Sequence, residues 1–206
     1  MIKNIVFDIG QVLVEFNWRK HLEEWFDDEE TRKHVAEATV LNRLWMEIDR
    51  GAKTLEELIE ECVQYDTEYE EAIRYFFSRK NTIAREFPYA VEWIRELQGR
   101  GYKVYLLSNY SEHAFEYLLE RSRFYGIVDG AIISYRIKTV KPEREIYEAL
   151  FSTYGLNPEE CVFLDDLQKN LDGAAVFGMK TILFTGYEEG KKKLEELLCA
   201  EGQENR

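Results

Sequence analysis

Seven polar residues lie at or beyond the ends of short apolar segments of this sequence, and together they supply carboxylate, hydroxyl, amide and ammonium groups. They are Asp8, Ser108, Asn109, Lys141, Asp165, Asp166 and Asn170. A carboxylate can attack phosphorus, while a hard divalent cation held by other carboxylates and a backbone carbonyl neutralises phosphate oxygens. Lysine and hydroxyl donors take the remaining negative charge, so that catalysis is mostly positioning and electrostatics. The set therefore indicates phosphoryl transfer through an aspartyl-phosphate.

Each of these residues also has an ordinary structural explanation. Asp8 is acceptable in a turn, and the step from Lys141 to Pro142 is a favourable helix start. The adjacent carboxylates Asp165 and Asp166 are suitable caps for the helix that follows them. Turn and cap chemistry does not explain why the whole set would meet at one edge of a sheet, so we favour the functional interpretation.

Five strand-sized apolar runs would bring these residues to that edge: residues 4–8, 103–108, 131–134, 161–165 and 181–184. The runs are continuously apolar rather than alternating, which is typical of parallel strands covered on both faces. Helical patterns separate the later runs. One pattern ends at Gly99 and Gly101, and another begins at Pro142 and ends at Gly155. This order predicts an α/β fold with a Rossmann-like parallel sheet.

The segment between the first two predicted strands, residues 16–86, has a different pattern. It is acidic, rich in aromatic residues and helical, with no convincing strand, and Thr54 and Glu57 have the spacing of a capping box. The segment is far longer than a connection between a strand and a helix requires. We expect an all-helical cap over residues 16–86, above the carboxyl edge of the sheet, inserted into a core domain of residues 1–15 and 87–206. The tail from Glu188 onward is predicted to be a solvated helix.

Charge and cysteine content exclude several kinds of function. The 206 residues include 27 basic and 40 acidic ones, for a net charge of −13, and such a surface repels nucleic acids and anionic membranes. The three cysteines have no C-x-x-C spacing, so neither a disulfide framework nor a zinc site is indicated. With no long apolar run and no leader-like segment, we expect a cytoplasmic protein that acts on a small molecule.

The sequence resembles the haloacid dehalogenase (HAD) superfamily over nearly its whole length. FDIGQVLV is similar to the first motif of that superfamily, LLSN to the second, the Lys141-Pro142 step to the third and VFLDDLQKNLDGA to the fourth. Residues 16–86 resemble the C1-type helical cap of subfamily I. Within the superfamily the chain is most similar to bacterial glucose-1-phosphatase-like proteins and to the N-terminal phosphatase domain of soluble epoxide hydrolases.

The resemblance implies that Asp8 is the nucleophile of a phosphatase that acts on a small phosphorylated substrate. Ser108 and Asn109 would bind the transferred phosphoryl group. Lys141 would pair with both the nucleophile and the phosphate.

The same resemblance implies a Mg²⁺ cofactor. Asp8 and Asp166 would hold the metal together with the backbone carbonyl of Gly10. Asp165 would be a further ligand or would orient a metal-bound water. Asn170 would lie behind these ligands and hold the catalytic lysine or its loop.

Gly10 departs from the pattern of most phosphatases in the superfamily, in which a second aspartate stands at this position. That aspartate protonates the leaving group and later deprotonates water, and such general acid–base catalysis contributes roughly 10²–10⁴-fold in rate. Gly10 keeps the carbonyl but lacks the acid, and the neighbouring Gln11 cannot accept a proton. We therefore expect a slower phosphomonoesterase that favours readily expelled leaving groups, such as the anomeric oxygen of a sugar 1-phosphate.

Three other interpretations compete with this one. A metal-free 2-haloacid dehalogenase also lacks the second acid, but it has no use for two adjacent metal-facing acids at Asp165 and Asp166. A catalytically degenerate protein that binds phosphate or a partner would keep the fold, and Mg²⁺-dependent turnover distinguishes it from an enzyme. A response-regulator-like receiver also pairs acids with a lysine on a parallel sheet, but receivers are shorter and have no long helical insertion, so we set this interpretation aside.

Overall fold

The computed structural model describes residues 1–79 and 83–203 of the chain. The strands in these residues are β1 (Asn4–Phe7), β2 (Val14–Phe16), β3 (Ala84–Glu86), β4 (Lys103–Ser108), β5 (Gly130–Ile133), β6 (Cys161–Asp165) and β7 (Lys180–Leu183). The helices are α1 (Trp18–Trp25), α2 (Glu29–Ala38), α3 (Leu44–Asp49), α4 (Leu55–Tyr65), α5 (Glu70–Arg79), α6 (Ala90–Gly99), α7 (Glu112–Leu119), α8 (Ser134–Ile137), α9 (Arg144–Tyr154), α10 (Gln168–Ala175) and α11 (Tyr187–Gln203). No helix in this part of the chain is both long enough and apolar enough to cross a bilayer.

Strands β1 and β4–β7 form one five-stranded parallel sheet with the order β5-β4-β1-β6-β7. β1 is central, and Phe7 lies in register with Leu106 of β4 and with Leu164 of β6. The predicted α/β fold with a Rossmann-like parallel sheet is confirmed, and each predicted strand agrees with an observed one to within one residue at either end. Because the five strands run in the same direction, their carboxyl ends meet at one edge of the sheet.

The central strand β1 is buried on both of its faces, which explains its unbroken apolar sequence. Phe7 packs against Trp93 of α6 on one face, with the ring centroids 4.7 Å apart. Val6 belongs to the cluster on the other face, together with Tyr147 of α9 and Phe163 of β6. Burial of one such side chain contributes about 1.5–3 kcal/mol. The strand that precedes Asp8 is therefore firmly fixed.

Helices α1–α5 pack around a hydrophobic cluster of their own, distinct from the two clusters that flank the sheet. Val35, Leu58 and Phe76 are fully buried in it. The predicted capping box is confirmed: the Thr54 hydroxyl oxygen accepts the N–H of Glu57, and the Glu57 carboxylate accepts the N–H of Thr54. The cap satisfies two backbone N–H groups that would otherwise lack partners at the start of α4.

The expectation that residues 16–86 contain no strand is wrong at both ends of the segment. β2 pairs with β3 in the antiparallel direction, so that Val14 lies opposite Glu86 and Phe16 lies opposite Ala84. Each strand has three residues, which is too short for an alternating pattern to be visible in the sequence. This ribbon leads the chain into and out of the helices. The division of the chain into a core and a cap at these points stays a prediction.

The structure corrects two other expectations. The helix expected to begin at Pro142 is α9, and it begins at Arg144. The side chain of Asn109 is hydrogen-bonded to the backbone of Lys141, which keeps Lys141 and Pro142 outside the helix. α11 is not solvated on all sides, because Leu194 and Leu198 are buried in the cluster on one face of the sheet. Their spacing of four residues places them on the same side of the helix.

Candidate active site

Asp8 is the first residue after the central strand. Its backbone N–H donates to the carbonyl of Leu164 at 2.9 Å, which continues the pairing of β1 with β6 by one residue. The carbonyl of Ile9 then accepts the N–H groups of Leu13 and Val14, each at 2.9 Å, so that the chain turns back in a tight loop. The Asp8 side chain is left at the carboxyl edge of the sheet, where the residue is 7% exposed.

Lys141 supplies the buried cation of the site and is 1% exposed. Its Nζ lies 2.8 Å from Asp8 Oδ1 and 2.6 Å from Asp165 Oδ2. Burial by itself would lower the pKa of Lys141, but the two carboxylates outweigh this effect and raise the pKa. The ammonium group therefore stays charged at neutral pH and joins the first-motif acid to a fourth-motif acid.

The Asp8 carboxyl group has a raised pKa, chiefly because it is buried. The charge of Asp165 adds to the shift, while Lys141 and the Ser108 hydroxyl act against it. Asp8 Oδ1 is buried and makes no well-directed hydrogen bond, although the lysine ammonium is close. A cation besides Lys141 would stabilise this buried oxygen, so Asp8 is suited to be a metal ligand.

Asp165 is fully buried, and its carboxylate accepts four hydrogen bonds. Oδ1 accepts the N–H of Leu167 at 2.8 Å, and Oδ2 accepts the Lys141 ammonium at 2.6 Å. The side-chain amide of Asn170 donates to both oxygens at 3.0 Å. A carboxylate has about four lone-pair positions, and these donors use them. Asn170 and Lys141 are thus linked through Asp165, to which both donate.

Asp166 completes a cluster of three carboxylates. One oxygen each from Asp8, Asp165 and Asp166 lie within 4.8 Å of one another. Burial first, and then the charges of Asp8 and Asp165, raise the pKa of Asp166 to about 7. A bound cation would relieve this repulsion. Hard oxygen donors of this kind are the ligands that Mg²⁺ prefers, so the residues present fit that metal.

Ser108 and Asn109 stand at the end of the neighbouring strand, β4. Ser108 is 1% exposed, and its hydroxyl lowers the pKa of Asp8. The side-chain amide of Asn109 donates to the carbonyl of Lys141 at 3.1 Å and accepts the N–H of the same residue at 2.7 Å. Asn109 therefore fixes the backbone beside the lysine. A contact of Ser108 and Asn109 with a phosphoryl group stays a prediction.

Gly10 lies beside the carboxylates and has room for a side chain. A Cβ placed on Gly10 would have Asp8 Oδ2 as its nearest neighbour, at 4.0 Å. The amide of the next residue, Gln11, accepts the N–H of Phe16 at 3.3 Å and so is attached to its own loop. Position 10 therefore brings no proton donor, and its neighbour does not supply one.

A cavity of about 200 Å³ opens onto Asp8 and Asp166. Helix α7, the loop before it and the helical insertion form much of its wall, which is mostly apolar. The residues of this wall that sequence analysis did not identify are Phe16, Trp45, Asp49, Ala84, Tyr110, Ser111, Ala114 and Tyr117. No local sequence signal marks the wall residues of the insertion, because their approach to the carboxylates depends on how the insertion folds over the sheet.

A model of the haloacid dehalogenase-like hydrolase family matches residues 2–178, a range that contains the whole set of site residues. The chain belongs to this family. The resemblance to the HAD superfamily is thereby confirmed.

Relatives of this HAD-family hydrolase include proteins named as phosphatases and proteins named as dehalogenases. The chain is 25% identical over 191 residues to phosphatase MT3486 of Mycobacterium tuberculosis. The alignment covers 88% of the chain and 87% of that protein. The chain is also 30% identical over 96 residues to (S)-2-haloacid dehalogenase 4A of Burkholderia cepacia. This alignment covers 47% of the chain and 42% of that protein. The chain spans between 19% and 42% of the length of three curated relatives that it matches.

Among solved structures, the fold of the hydrolase matches a HAD family enzyme of Bacteroides thetaiotaomicron in complex with magnesium and inorganic phosphate. The TM-score is 0.67 at 22% sequence identity, and the match covers 88% of this chain and 93% of the other. This likeness shows that the two proteins share the fold.

In this hydrolase, the end of α3 is attached to the loop that carries Lys141. Arg50 and Glu143 form a bidentate ion pair in which both N···O distances are 2.6 Å. The Glu143 carboxylate also accepts the Thr139 hydroxyl at 2.8 Å and the N–H of Val140 at 3.2 Å. These hydrogen bonds lower the pKa of Glu143 to about 2, and the hydrogen bond from Arg50 has the largest effect. We refer to this contact as the Arg50–Glu143 clasp, and it joins the insertion to the lysine loop.

We expect the Arg50–Glu143 clasp to contribute a small but measurable coupling energy. Arg50→Met and Glu143→Gln, singly and together, should give a coupling of about 0.5–1 kcal/mol in urea unfolding, because both side chains are partly exposed. Since folding lowers the pKa of Glu143, this contribution is present above the usual carboxyl range and is lost as the pH falls towards about 2.

The matched control for the clasp is the exposed ion pair between Arg121 and Glu120, whose side chains are 53% and 72% exposed. Its coupling should be close to zero. Equal couplings for the two pairs would show that the clasp is an ordinary surface contact.

Proposed function

We propose that this protein is a Mg²⁺-dependent phosphomonoesterase that hydrolyses a small phosphorylated metabolite through an aspartyl-phosphate on Asp8. The observation that carries the proposal is the buried contact of Lys141 with Asp8 and Asp165, at 2.8 and 2.6 Å, beside the carboxylate of Asp166. A nucleophile, a fixed cation and a metal-binding acid at one sheet edge form the set that phosphoryl transfer needs. Relatives named as phosphatases support the same activity.

The ligands that we propose for Mg²⁺ are Asp8, Asp166 and the backbone carbonyl of Gly10. When bound, the metal neutralises phosphate oxygens and fixes their orientation. Asp165 is less suited to this role, because its oxygens already accept four hydrogen bonds. We propose that Asp165 instead holds the lysine in place, and that Asn170 holds Asp165.

The side chains carry the reaction in two steps. The Asp8 carboxylate attacks phosphorus in line with the leaving oxygen, and the bond from phosphorus to that oxygen breaks. Lys141 and Ser108 donate to the phosphoryl oxygens and stabilise the charge that develops there. Water then attacks the phosphorus of the aspartyl-phosphate, which releases phosphate and restores Asp8.

We propose that residues 16–86 act as a cap that closes the cavity over the substrate. Closure excludes water and supplies contacts to the part of the substrate that is not phosphate, and Phe16 and Trp45 lie in the wall where that part would be held. Because Gly10 brings no acid, esters whose alcohol leaves readily are favoured, and a sugar 1-phosphate is one of them. The cytoplasmic location expected from the sequence belongs to the same proposal.

A 2-haloacid dehalogenase is a second candidate, because one relative carries that name. In that reaction an aspartate attacks carbon and no metal takes part. Asp166 argues against it, since a metal-free attack gains nothing from a third carboxylate that its neighbours repel. We therefore retain the phosphomonoesterase as the proposed function.

One experiment separates these functions. The purified protein is incubated with 4-nitrophenyl phosphate, a panel of sugar 1-phosphates and 2-chloropropionate, each with Mg²⁺ and with a chelator. We expect phosphate release that requires Mg²⁺, and no halide release. Halide release without Mg²⁺ would identify a dehalogenase, whereas Mg²⁺ binding without turnover of any compound would identify a phosphate- or partner-binding protein.

Mg²⁺ binding should strengthen as the pH rises through 7. In the metal-free protein the raised pKa of Asp166, about 7, keeps a proton on this carboxyl at lower pH. Because a carboxyl ligand must lose its proton to bind a metal, we expect the Mg²⁺ dissociation constant from calorimetry to be about tenfold larger at about pH 6 than at about pH 8. Asp166→Asn should remove most of this dependence, and an unchanged dependence would refute the assignment.

In the metal-free protein, the Asp166 carboxyl group makes the folded state less stable as the pH rises, whereas Mg²⁺ binding strengthens as the pH rises. Folding raises the pKa of Asp166, so its contribution to stability is complete at low pH and is lost as the pH rises through about 7.

A further inference from the structure

The cavity contains a carboxylate that the proposed mechanism does not use. Asp49, the last residue of α3, lines the same cavity as Asp8 and Asp166. Among the described residues of the cavity wall, it is the carboxylate that the insertion contributes. Position 10, where the first motif usually carries an acid, is occupied by Gly10. The cavity therefore has no acid at position 10, but it has an acid without an assigned role at position 49.

The backbone of Asp49 is attached through Ser134 to the loop that follows β4. The carbonyl of Asp49 accepts a hydrogen bond from the hydroxyl of Ser134. The same hydroxyl oxygen accepts the backbone N–H of Tyr110 at 2.9 Å. Tyr110 belongs to the loop after β4, directly after Asn109. These two hydrogen bonds fix the end of α3 relative to a loop of the active site.

The next two residues, Arg50 and Gly51, are attached to the core as well. Arg50 forms the Arg50–Glu143 clasp, and the carbonyl of Gly51 accepts the Lys138 ammonium at 2.7 Å. Gly51 has a φ of 68°, and a Cβ there would lie 3.0 Å from the carbonyl oxygen of Tyr135. A glycine is needed for this close approach. Three consecutive residues thus hold the end of α3 against the core.

The side chain of Tyr110 is affected by the charges of both Asp49 and Asp8. The pKa of Tyr110 is raised by burial first, and then by the negative charges of Asp49 and Asp8. The one phenol is therefore close enough to both carboxylates to be affected by each. Tyr110 also lines the cavity. Asp49, Tyr110 and Asp8 therefore line one cavity, with Tyr110 near both carboxylates.

We propose that Asp49 is the general acid and base that position 10 lacks, an inference that rests on the proposed phosphatase function. As the bond from phosphorus to the leaving oxygen breaks, that oxygen takes the proton of the Asp49 carboxyl group. The water that then attacks the aspartyl-phosphate gives a proton to the Asp49 carboxylate as the bond from phosphorus to Asp8 breaks. Protons balance over one turnover without another reactant. With this donor, alkyl phosphates, whose alcohols leave less readily than an anomeric hydroxyl, become substrates.

The test compares wild type with Asp49→Asn on two esters that differ in their leaving group. Butyl phosphate needs protonation of the leaving oxygen, whereas 4-nitrophenyl phosphate does not. In the first turnover, the rate of alcohol release should fall by about 10²-fold or more for butyl phosphate and by less than about threefold for 4-nitrophenyl phosphate. Glu56→Gln, an exposed carboxylate on α4, is the control and should leave both rates unchanged. Equal losses for the two esters, or no loss, would overturn the proposal.

A second variant, Gly10→Asp, separates loss of the acid from damage to the fold. The position has room for a side chain. In the Asp49→Asn background, Gly10→Asp should raise the butyl phosphate rate by about tenfold or more, whereas in the wild-type background the gain should be less than about threefold. Equal gains in the two backgrounds would show that Asp49 supplied no proton. If wild type releases no phosphate from either ester with Mg²⁺, the proposed function itself fails.

Discussion

Asp8→Asn should lower Mg²⁺-dependent phosphate release by about 10⁴-fold or more, because it removes the nucleophile on which both steps depend. A neutral amide does not attack phosphorus as a carboxylate does, and it forms no acyl phosphate that water can cleave. The measurement is steady-state release of phosphate from 4-nitrophenyl phosphate. Substantial activity in the variant would show that Asp8 is not the nucleophile.

The Asp8→Asn variant should remain folded. The substitution keeps the shape of the side chain and removes one of three neighbouring carboxylates, so repulsion with Asp165 and Asp166 decreases. We expect a thermal unfolding midpoint no more than a few degrees below that of wild type. Asp172→Asn, at an exposed carboxylate on α10, is the matched control and should retain full activity.

Lys141→Met should affect stability as well as activity. It keeps the apolar stem but leaves Asp8 and Asp165 buried without their cation, which should cost about 3–5 kcal/mol in urea unfolding at neutral pH. In the variant, folding raises the pKa of Asp8 further, because the lysine charge no longer opposes the effect of burial. The loss should therefore decrease as the pH falls and Asp8 takes up a proton, and increase as the pH rises. Phosphate release should fall by about 10²-fold or more, since a charged donor to the phosphoryl group is lost.

The double variant Lys141→Met with Asp165→Asn distinguishes the structural role of the lysine from its catalytic role. Removing the partner charge should restore at least half of the lost free energy of unfolding, because one buried carboxylate is no longer unpaired. Activity should stay low. Recovery of activity together with stability would show that Lys141 acts only by stabilising the fold.

The carboxyl edge of the sheet was predictable because each buried strand ends where its apolar run ends. Asp8 follows Phe7 directly, and Asp165 ends β6, so the polar residues mark the strand ends in the sequence. Continuous burial on both faces removes the alternation that would otherwise have suggested an antiparallel sheet. The fold, and the position of these polar residues at the ends of its strands, therefore followed from short-range patterns.

The residue types alone did not predict how the environments of the two neighbouring acids differ. Asp165 and Asp166 are adjacent and chemically identical, yet one is saturated by hydrogen bonds and the other has a raised pKa. The same limit applies to Asp49, which reaches the cavity through backbone contacts with a distant part of the chain, such as that with Ser134. Such contacts leave no periodic pattern in the sequence.

Transfer of a phosphoryl group to Asp8 can be observed by mass spectrometry of acid-quenched enzyme. The protein is quenched with acid during turnover of 4-nitrophenyl phosphate with Mg²⁺, and its peptides are then examined for an added phosphoryl group. We predict a phosphoryl group on Asp8 that hydroxylamine removes and that is absent when a chelator replaces Mg²⁺. Steady phosphate release while Asp8 stays unmodified, or modification of a different residue, would exclude Asp8 as the nucleophile.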